Sequence, residues 1–397
     1  MTNAASALLA LLLALSLPAI TVVSAAPLAS HAMSPDPTTA EETTNRLALH
    51  EDAESGYAGT GPDLGTALAT QDDELRVDYD LFVAEDEFVD RTFEEQQEAV
   101  DAGHERIRDR IDDLEDRERE AIRRHAEGEL SDAELIRTFV RNTNEAAALE
   151  DALNRLDDRA DRVPGYSISV DSDQARLERH ESATRTRLDA ASHNLGGPTS
   201  VDVVVDTSED GYTIGAIDGG TYVRETTRFD NRDATEPDQF ETPGAAEEYV
   251  LQQYPWAADN LADGSRGTVG FPAANLYRTS LPTVQGDLTV YLDGGTGDVH
   301  REVQELAVEE LPTTPADRTW TNDSLELSVN ETPANGPLEV TVTDRETDEP
   351  VDATIVVDDY EVDETDDGTL WVVPPASEFE LTAATAEGNV TATLPDS

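Results

Sequence analysis

The sequence contains no cysteine and no lysine. The first absence excludes disulfides, thiolate metal sites, a lipid-modified cysteine and a cysteine nucleophile together, so stability must come from packing. The second leaves arginine as the permanent side-chain cation: 27 basic residues face 86 Asp and Glu in 397 residues, a formal net charge of −59. A chain so short of cations is unsuited to phosphate backbones or an anionic membrane surface, which argues against nucleic acid as a partner. There is no Gly-x-Ser-x-Gly elbow, P-loop, dinucleotide fingerprint or His-Glu-x-x-His pair. Catalytic carboxylates cannot be singled out from 86 acidic residues. The expectation is a protein that is not an enzyme and has no cofactor or resident metal.

Disorder is the usual consequence of such charge, but 38% hydrophobic residues in clean periodic patterns oppose it for most of the chain. The better reading is a surface of hydrated carboxylates adapted to concentrated salt. There the Debye length is ~3 Å or less, and like charges repel little. The replacement of long-stemmed lysine fits the same haloarchaeal-type bias.

Ala7 to Val23 is an apolar run broken by Ser16, Pro18 and Thr21, and Val23-Ser24-Ala25 makes a small-residue cleavage site. Residues 1–25 therefore read as a signal peptide and the protein as secreted or held at the cell surface. No arginine precedes Arg46, no twin-arginine pair is present and no second apolar span follows. An uncleaved anchor remains the alternative; after cleavage no stable membrane insertion is expected. Residues 26–61 read as a largely irregular tether.

Residues 62–197 read as a helical hairpin or bundle. Phe93, Val100, Ile107, Leu114 and Ala121 are seven apart in a helix from about Phe88 to His125, ending at Gly128. Ser131 and Glu134 form a capping box, with Leu130 and Leu135 as the staple. A second stripe runs through Leu135, Phe139, Ala146, Leu149, Leu153, Leu156, Ala160 and Val163 to Pro164-Gly165. Asp171 and Gln174 open a third amphipathic helix bearing Leu177, Thr184, Leu188, Ala191 and Leu195, closed by Gly196-Gly197-Pro198. Upstream, Pro62-Asp63 begins a helix that carries Leu64, Leu68, Leu75, Phe82 and Val89. The seven-residue spacing after Phe93 also invites a coiled-coil dimer, but Gln97, His104 and Glu118 make a poor second seam, which favours packing within the chain.

Residues 199–310 read as a small α+β domain. Two hairpins share one pattern, strand, Asp-Gly-Gly-Thr and a strand ending in Arg-Glu, at Asp218–Thr221 with Arg224-Glu225 and at Asp293–Thr296 with Arg301-Glu302. A helix near 244–254 lies between them. The helix 245–254 with Leu288–Asp293 and Thr296-Gly297-Asp298-Val299 resembles a PepSY domain over residues 245–302. That resemblance implies a binding or protease-inhibiting role. The whole arrangement also resembles an uncharacterised family of exported haloarchaeal proteins, which brings no known activity.

Residues 311–319 are a Pro- and Thr-rich linker, and 320–397 alternate strictly over short segments: 325–329, 338–342, 353–357, 369–373, 379–383 and 390–394. Short strands at this density mean a β-sandwich. Residues 349–357 and 365–369 resemble carboxypeptidase-regulatory-like and Ig-like surface modules over 320–395, which implies display or adhesion. The expected fold class is multidomain α+β: helical hairpin or bundle, small α+β domain, then sandwich.

Three Asn-x-Ser/Thr sequons, at Asn322, Asn330 and Asn389, are candidate glycosylation sites. His104, His125, His180 and His193 could converge in a bundle, although exposed histidines explain them more simply. The Asp-rich turns 293–298 and 363–367 could offer Ca²⁺ oxygen ligands, but turn chemistry explains both. Tyr249, Tyr254, Trp256 and Tyr277 read as core rather than a carbohydrate platform. The function expected is a non-catalytic binding or interaction protein with cell-envelope or extracellular partners. A PepSY-like regulator or inhibitor of an extracellular protease is the alternative, and a hydrolase with an unrecognised site a distant one.

Overall fold

A computed structural model describes residues 47–49, 53–86, 88–193, 201–264, 266–314, 318–332 and 336–395. The expected signal peptide, most of the tether and the Gly196-Gly197-Pro198 breaker lie outside the described residues. Three long helices follow a first strand: α1 (Leu64–Glu85), α2 (Phe93–Ala126) and α3 (Asp132–Ala160). Their starts are chemically defined. Asp63 accepts a hydrogen bond from Thr66 N at 2.7 Å, and Thr92 with Glu95 and Ser131 with Glu134 form capping boxes. Gly128, at φ 70°, makes the left-handed turn between α2 and α3.

Both expected stripes are buried where the helices face each other, Val100, Ile107, Ile111 and Leu114 of α2 against Ala146, Leu149, Leu153 and Leu156 of α3. The first member of the α2 stripe is not: Phe93 is 63% exposed at the first residue of the helix. α2 also starts five residues later than expected, because Phe88–Asp90 is a separate 3-10 turn. α1 turns the other way from its apolar spacing. Leu64, Leu68, Leu75, Phe82 and, beyond the helix, Val89 are exposed. Thr66, Thr70, Asp73, Val77 and Leu81 are buried instead. Asp73 fixes this orientation, since its carboxylate receives Arg141 of α3 at 2.5 and 2.9 Å.

The third helix is broken. α4 (Asp171–Leu177) runs into a 3-10 turn at Glu178–His180, and α5 (Ala183–His193) restarts after Glu181-Ser182. Ser182 Oγ accepts from Arg185 N at 3.1 Å and donates to Glu225 of the sheet. A cap and a tertiary bond at one serine thus outweigh helical continuity.

Eight antiparallel strands form one sheet in the order β1-β2-β3-β4-β8-β7-β6-β5. They are β1 (Glu54–Thr60), β2 (Val201–Ser208), β3 (Gly211–Asp218), β4 (Thr221–Arg228), β5 (Gly267–Phe271), β6 (Leu276–Thr283), β7 (Gly286–Asp293) and β8 (Val299–Ala307). Side chains alternate between its faces. Val203, Val205, Ile214 and Val223 pack with Ile122, Phe139 and Leu188 of the helices. Val204 and Tyr222 pack with Val250, Tyr254 and Trp256 of α6 (Pro243–Gln253) and α7 (Pro255–Asp259) on the other side. The segments 62–197 and 199–310, read as separate domains, therefore share a core. β1 corrects the tether reading in the same way. Its apolar alternation is weak, yet it pairs with β2 from Glu54↔Thr207 to Thr60↔Val201. Backbone pairing, and room at Gly56, where a Cβ would lie 2.4 Å from the Asp132 carboxylate, admit it.

The C-terminal sandwich stacks two four-stranded sheets, β14-β11-β10-β9 and β13-β12-β15-β16. Its strands are β9 (Thr319–Thr321), β10 (Leu325–Asn330), β11 (Leu338–Asp344), β12 (Thr354–Val357), β13 (Tyr360–Glu364), β14 (Thr369–Val372), β15 (Phe379–Thr385) and β16 (Gly388–Leu394). It rests against the N-terminal edge of the large sheet. Tyr57 stacks on Tyr360 with centroids 5.4 Å apart and donates to Val373 O. Asp206 accepts from Ser55 Oγ at 2.7 Å and from Ala376 N at 3.0 Å. Among the described residues no helix is long and apolar enough to cross a membrane.

An interior and a terminal member of the α2 stripe should respond differently to truncation. Leu114→Ala should cost about 2–5 kcal/mol as a buried cavity mutation. Phe93→Ala should cost less than about 1 kcal/mol. Urea unfolding at one fixed KCl concentration measures both.

Candidate anion-binding site

A cavity of about 310 Å³ lies where the helices meet the sheet. Glu115, Glu118 and Arg119 of α2, Arg179 and His180 of the 3-10 turn, and Tyr212 of β3 form part of its wall. Residues 227–229 and 232–234, with His300 and Arg301 of β8, complete it. Five arginines thus face three carboxylates in a chain whose overall balance is the reverse.

The wall is built on a buried ion cluster. Arg185, with a fully buried side chain, donates to Glu118 at 2.9 and 2.8 Å, to Glu225 at 3.2 Å and to the Tyr212 hydroxyl at 2.6 Å. Its guanidinium lies 4.7 Å from the Phe139 ring centroid. The Tyr212 hydroxyl in turn donates a hydrogen bond to Glu225 at 2.5 Å, and Ser182 donates there too. Asn142 and His180 complete the shell around Glu118, at 3.0 and 3.1 Å. Burial pushes the Glu118 carboxyl up, but Arg185 and His180 outweigh it and hold the group well below the usual carboxylate range. Glu225 is also lowered, because Arg185 and Arg301 overcome its burial.

The cavity side is less well matched. Arg301 is 1% exposed and lies 3.3 Å from Glu225. Its Nε, Nη1 and Nη2 make no hydrogen bond, nor do Nε2 of His300 and Nε2 of His180. Arg232 pairs with Asp293 at 3.3 Å, and Arg179 with Glu115. Burial, followed by repulsion from Arg232, Arg179 and Arg301, drives the His300 imidazole well below its ordinary pKa, so it stays neutral near pH 7. Burial also lowers Arg179, with Arg232, Arg176 and Arg301 adding to it despite the Glu115 pair. Guanidinium groups do not release protons in this range. The arrangement suits holding negative charge, not shuttling protons.

Apart from His180, weighed with three other histidines, these residues stood out in the sequence through one signal only. The repeated Arg-Glu pairs put Glu225 and Arg301 inside buried strands rather than at their ends, since β4 runs on to Arg228 and β8 to Ala307, and a charge buried there needs a partner. The four helical histidines do not converge. His104 bonds Asp173 at 2.7 Å, His125 bonds Thr207 and Asp132 at 2.7 and 2.8 Å, and His193 pairs with Asp189. His125 and His180 are buried, which corrects their reading as exposed polar-face residues, and so is His300. Asp293 Oδ1 is occupied by Gly295 N and Thr296 N, both at 2.9 Å, as turn chemistry requires. In the second Asp-rich turn Asp367 adopts φ 48°. Tyr254, Trp256 and Tyr277 are buried in the core beside Tyr249. Of the sequon residues, Asn322 holds an Asx turn, accepting from Ser324 N and Leu325 N at 2.7 and 2.6 Å. Asn330 donates to Glu339 at 2.8 Å, and Asn389 is exposed.

The ion cluster makes a pH prediction. Glu118 has a depressed folded pKa, so its contribution to stability is present above its unfolded value of about 4.3 and is lost as pH falls below it. At fixed concentrated KCl the denaturation midpoint should fall below about pH 4.5. Glu118→Gln should be about 3–5 kcal/mol less stable at pH 7, since it removes one of the two carboxylates that compensate the buried Arg185, and its acid limb should be shallower. Thermal and urea melts across pH 3–7 check both.

Comparison with known proteins gives three family matches along the chain. Residues 1–198 match the model of a domain of unknown function (DUF7096), and 203–312 that of a family of unknown function (DUF7094). The PepSY resemblance expected over 245–302 is not among the family matches; the latter family spans those residues. No curated protein and no solved structure shows significant similarity to the chain. Residues 316–392 match the archaeal fibronectin-III type-like domain, so this multidomain α+β protein ends in a fibronectin-III-like β-sandwich.

Proposed function

We propose that the chain is a non-catalytic binding protein, exported and adapted to concentrated salt, that holds an oxyanion-bearing ligand in the arginine-lined cavity. The observation that carries this reading is Arg301. A guanidinium at 1% exposure with three nitrogens lacking hydrogen bonds is costly to bury. Glu225, its ion-pair partner, already receives Ser182, Arg185 and Tyr212. An incoming carboxylate or phosphate would supply the missing acceptors, in the forked geometry that guanidinium favours. Arg179, Arg232 and the neutral His300 would surround it, with the Phe229 ring as an apolar wall. The fibronectin-III-like sandwich and the apolar run before Ser24 support an extracellular setting, with envelope or secreted proteins as further partners. The acidic composition supports the salt adaptation.

Calorimetric titration of the full chain in concentrated KCl with inorganic phosphate, sulfate and succinate tests this. One saturable site is expected for at least one of them. Arg232→Gln, on the rim, should weaken it by about tenfold or more, and Arg301→Gln should abolish it. Absence of binding by all three, or binding indifferent to both substitutions, overturns the reading.

A further inference from the structure

α1 carries an apolar face that points away from the core. Leu64, Leu68, Leu75, Tyr79 and Phe82 are between 59% and 75% exposed, and Val83 beside them is 41% exposed. At 3.6 residues per turn the first five fall within about 60° of arc, opposite the buried Thr66, Thr70, Asp73, Val77 and Leu81. In a chain of net charge −59 and mean hydropathy −0.50, this stripe is out of keeping with the rest of the surface.

We propose that this stripe is the contact between two copies of the chain, their α1 helices antiparallel across a two-fold axis at Leu75. The area is of the right size. These six residues leave roughly 700 Å² exposed, close to the ~800 Å² per partner of a standard specific interface once a polar rim is added. The spacing is self-complementary. Leu75 meets its own mate, and Leu68 meets Phe82 of the partner subunit, so the same patch closes on itself without leaving a free end. The rim carboxylates Asp72, Glu74 and Asp78 disfavour an anionic bilayer as the occupant. They also repel each other across the dimer, so concentrated salt strengthens the association.

The absence of cysteine makes the register directly testable. Leu75→Cys should form a covalent dimer on mild oxidation of the full chain in concentrated KCl, because a two-fold axis brings this residue to itself. Leu68→Cys alone should link poorly, but should link when mixed with Phe82→Cys. In sedimentation equilibrium the wild-type chain should be dimeric at tens of micromolar. The double variant Leu68→Glu/Leu75→Glu should associate at least about 100-fold more weakly, with unchanged circular dichroism. A monomeric wild type, a dimer that survives the double variant, or stripe-dependent flotation with phosphatidylcholine vesicles of a monomeric chain each overturns the proposal. The oxyanion titration is unaffected by these substitutions and stands or falls separately.

Discussion

Arg185 is the tie between the helices and the sheet. Its guanidinium, buried between α5, α2 and β4, satisfies Glu118 on one side and Glu225 on the other. Three charges withdrawn from water are tolerable only with every hydrogen bond in place, so the cluster is sensitive to the loss of any member. The surrounding structure follows from it. The helix breaks at Glu181-Ser182 so that Ser182 can cap α5 and also bond Glu225. Glu118 and Asn142, polar residues on the facing sides of α2 and α3, are buried because they belong to this network.

The distribution of charge follows a division between surface and interior. Most carboxylates face solvent, where dissolved salt screens repulsion between exposed charges. Arginines gather at the junction instead, and around the cavity Arg179, Arg232 and Arg301 lie close enough to repel one another. A positive recess in so acidic a chain is enclosed by low-dielectric walls, which makes its field stronger than the same charges would produce in water. It is lined by permanent cations, a neutral imidazole and an aromatic ring.

The first strand and the last domain are coupled through the same edge of the sheet. β1 adds to β2, and Tyr57 and Ser55 on it reach the sandwich side through Tyr360, Val373 and Asp206. Tyr360 donates to Asp202 at 2.6 Å. The linker before the sandwich therefore does not leave it independent of the body: an aromatic stack and part-buried hydrogen bonds hold the two together.

Local chemistry was enough to read much of this protein from the amino-acid order. The Ser131–Glu134 capping box, Gly128, the Asp218-Gly219-Gly220 turn and the alternation from Leu325 to Leu394 each act within a few residues, so the helices α2 and α3, the hairpins and the sandwich strands were legible. The mean position of the core was legible too, as in the Leu135 to Val163 stripe. Whatever depends on a distant partner was not. The orientation of α1 was decided by Asp73 meeting Arg141 rather than by its leucines, and β1 by backbone pairing with a strand some 150 residues away. The cavity was least legible of all, since Glu118, Arg185, Glu225 and Arg301 come from four separate elements. A single charged residue in a sequence carries no mark of its burial; only packing removes the water and makes its partners matter.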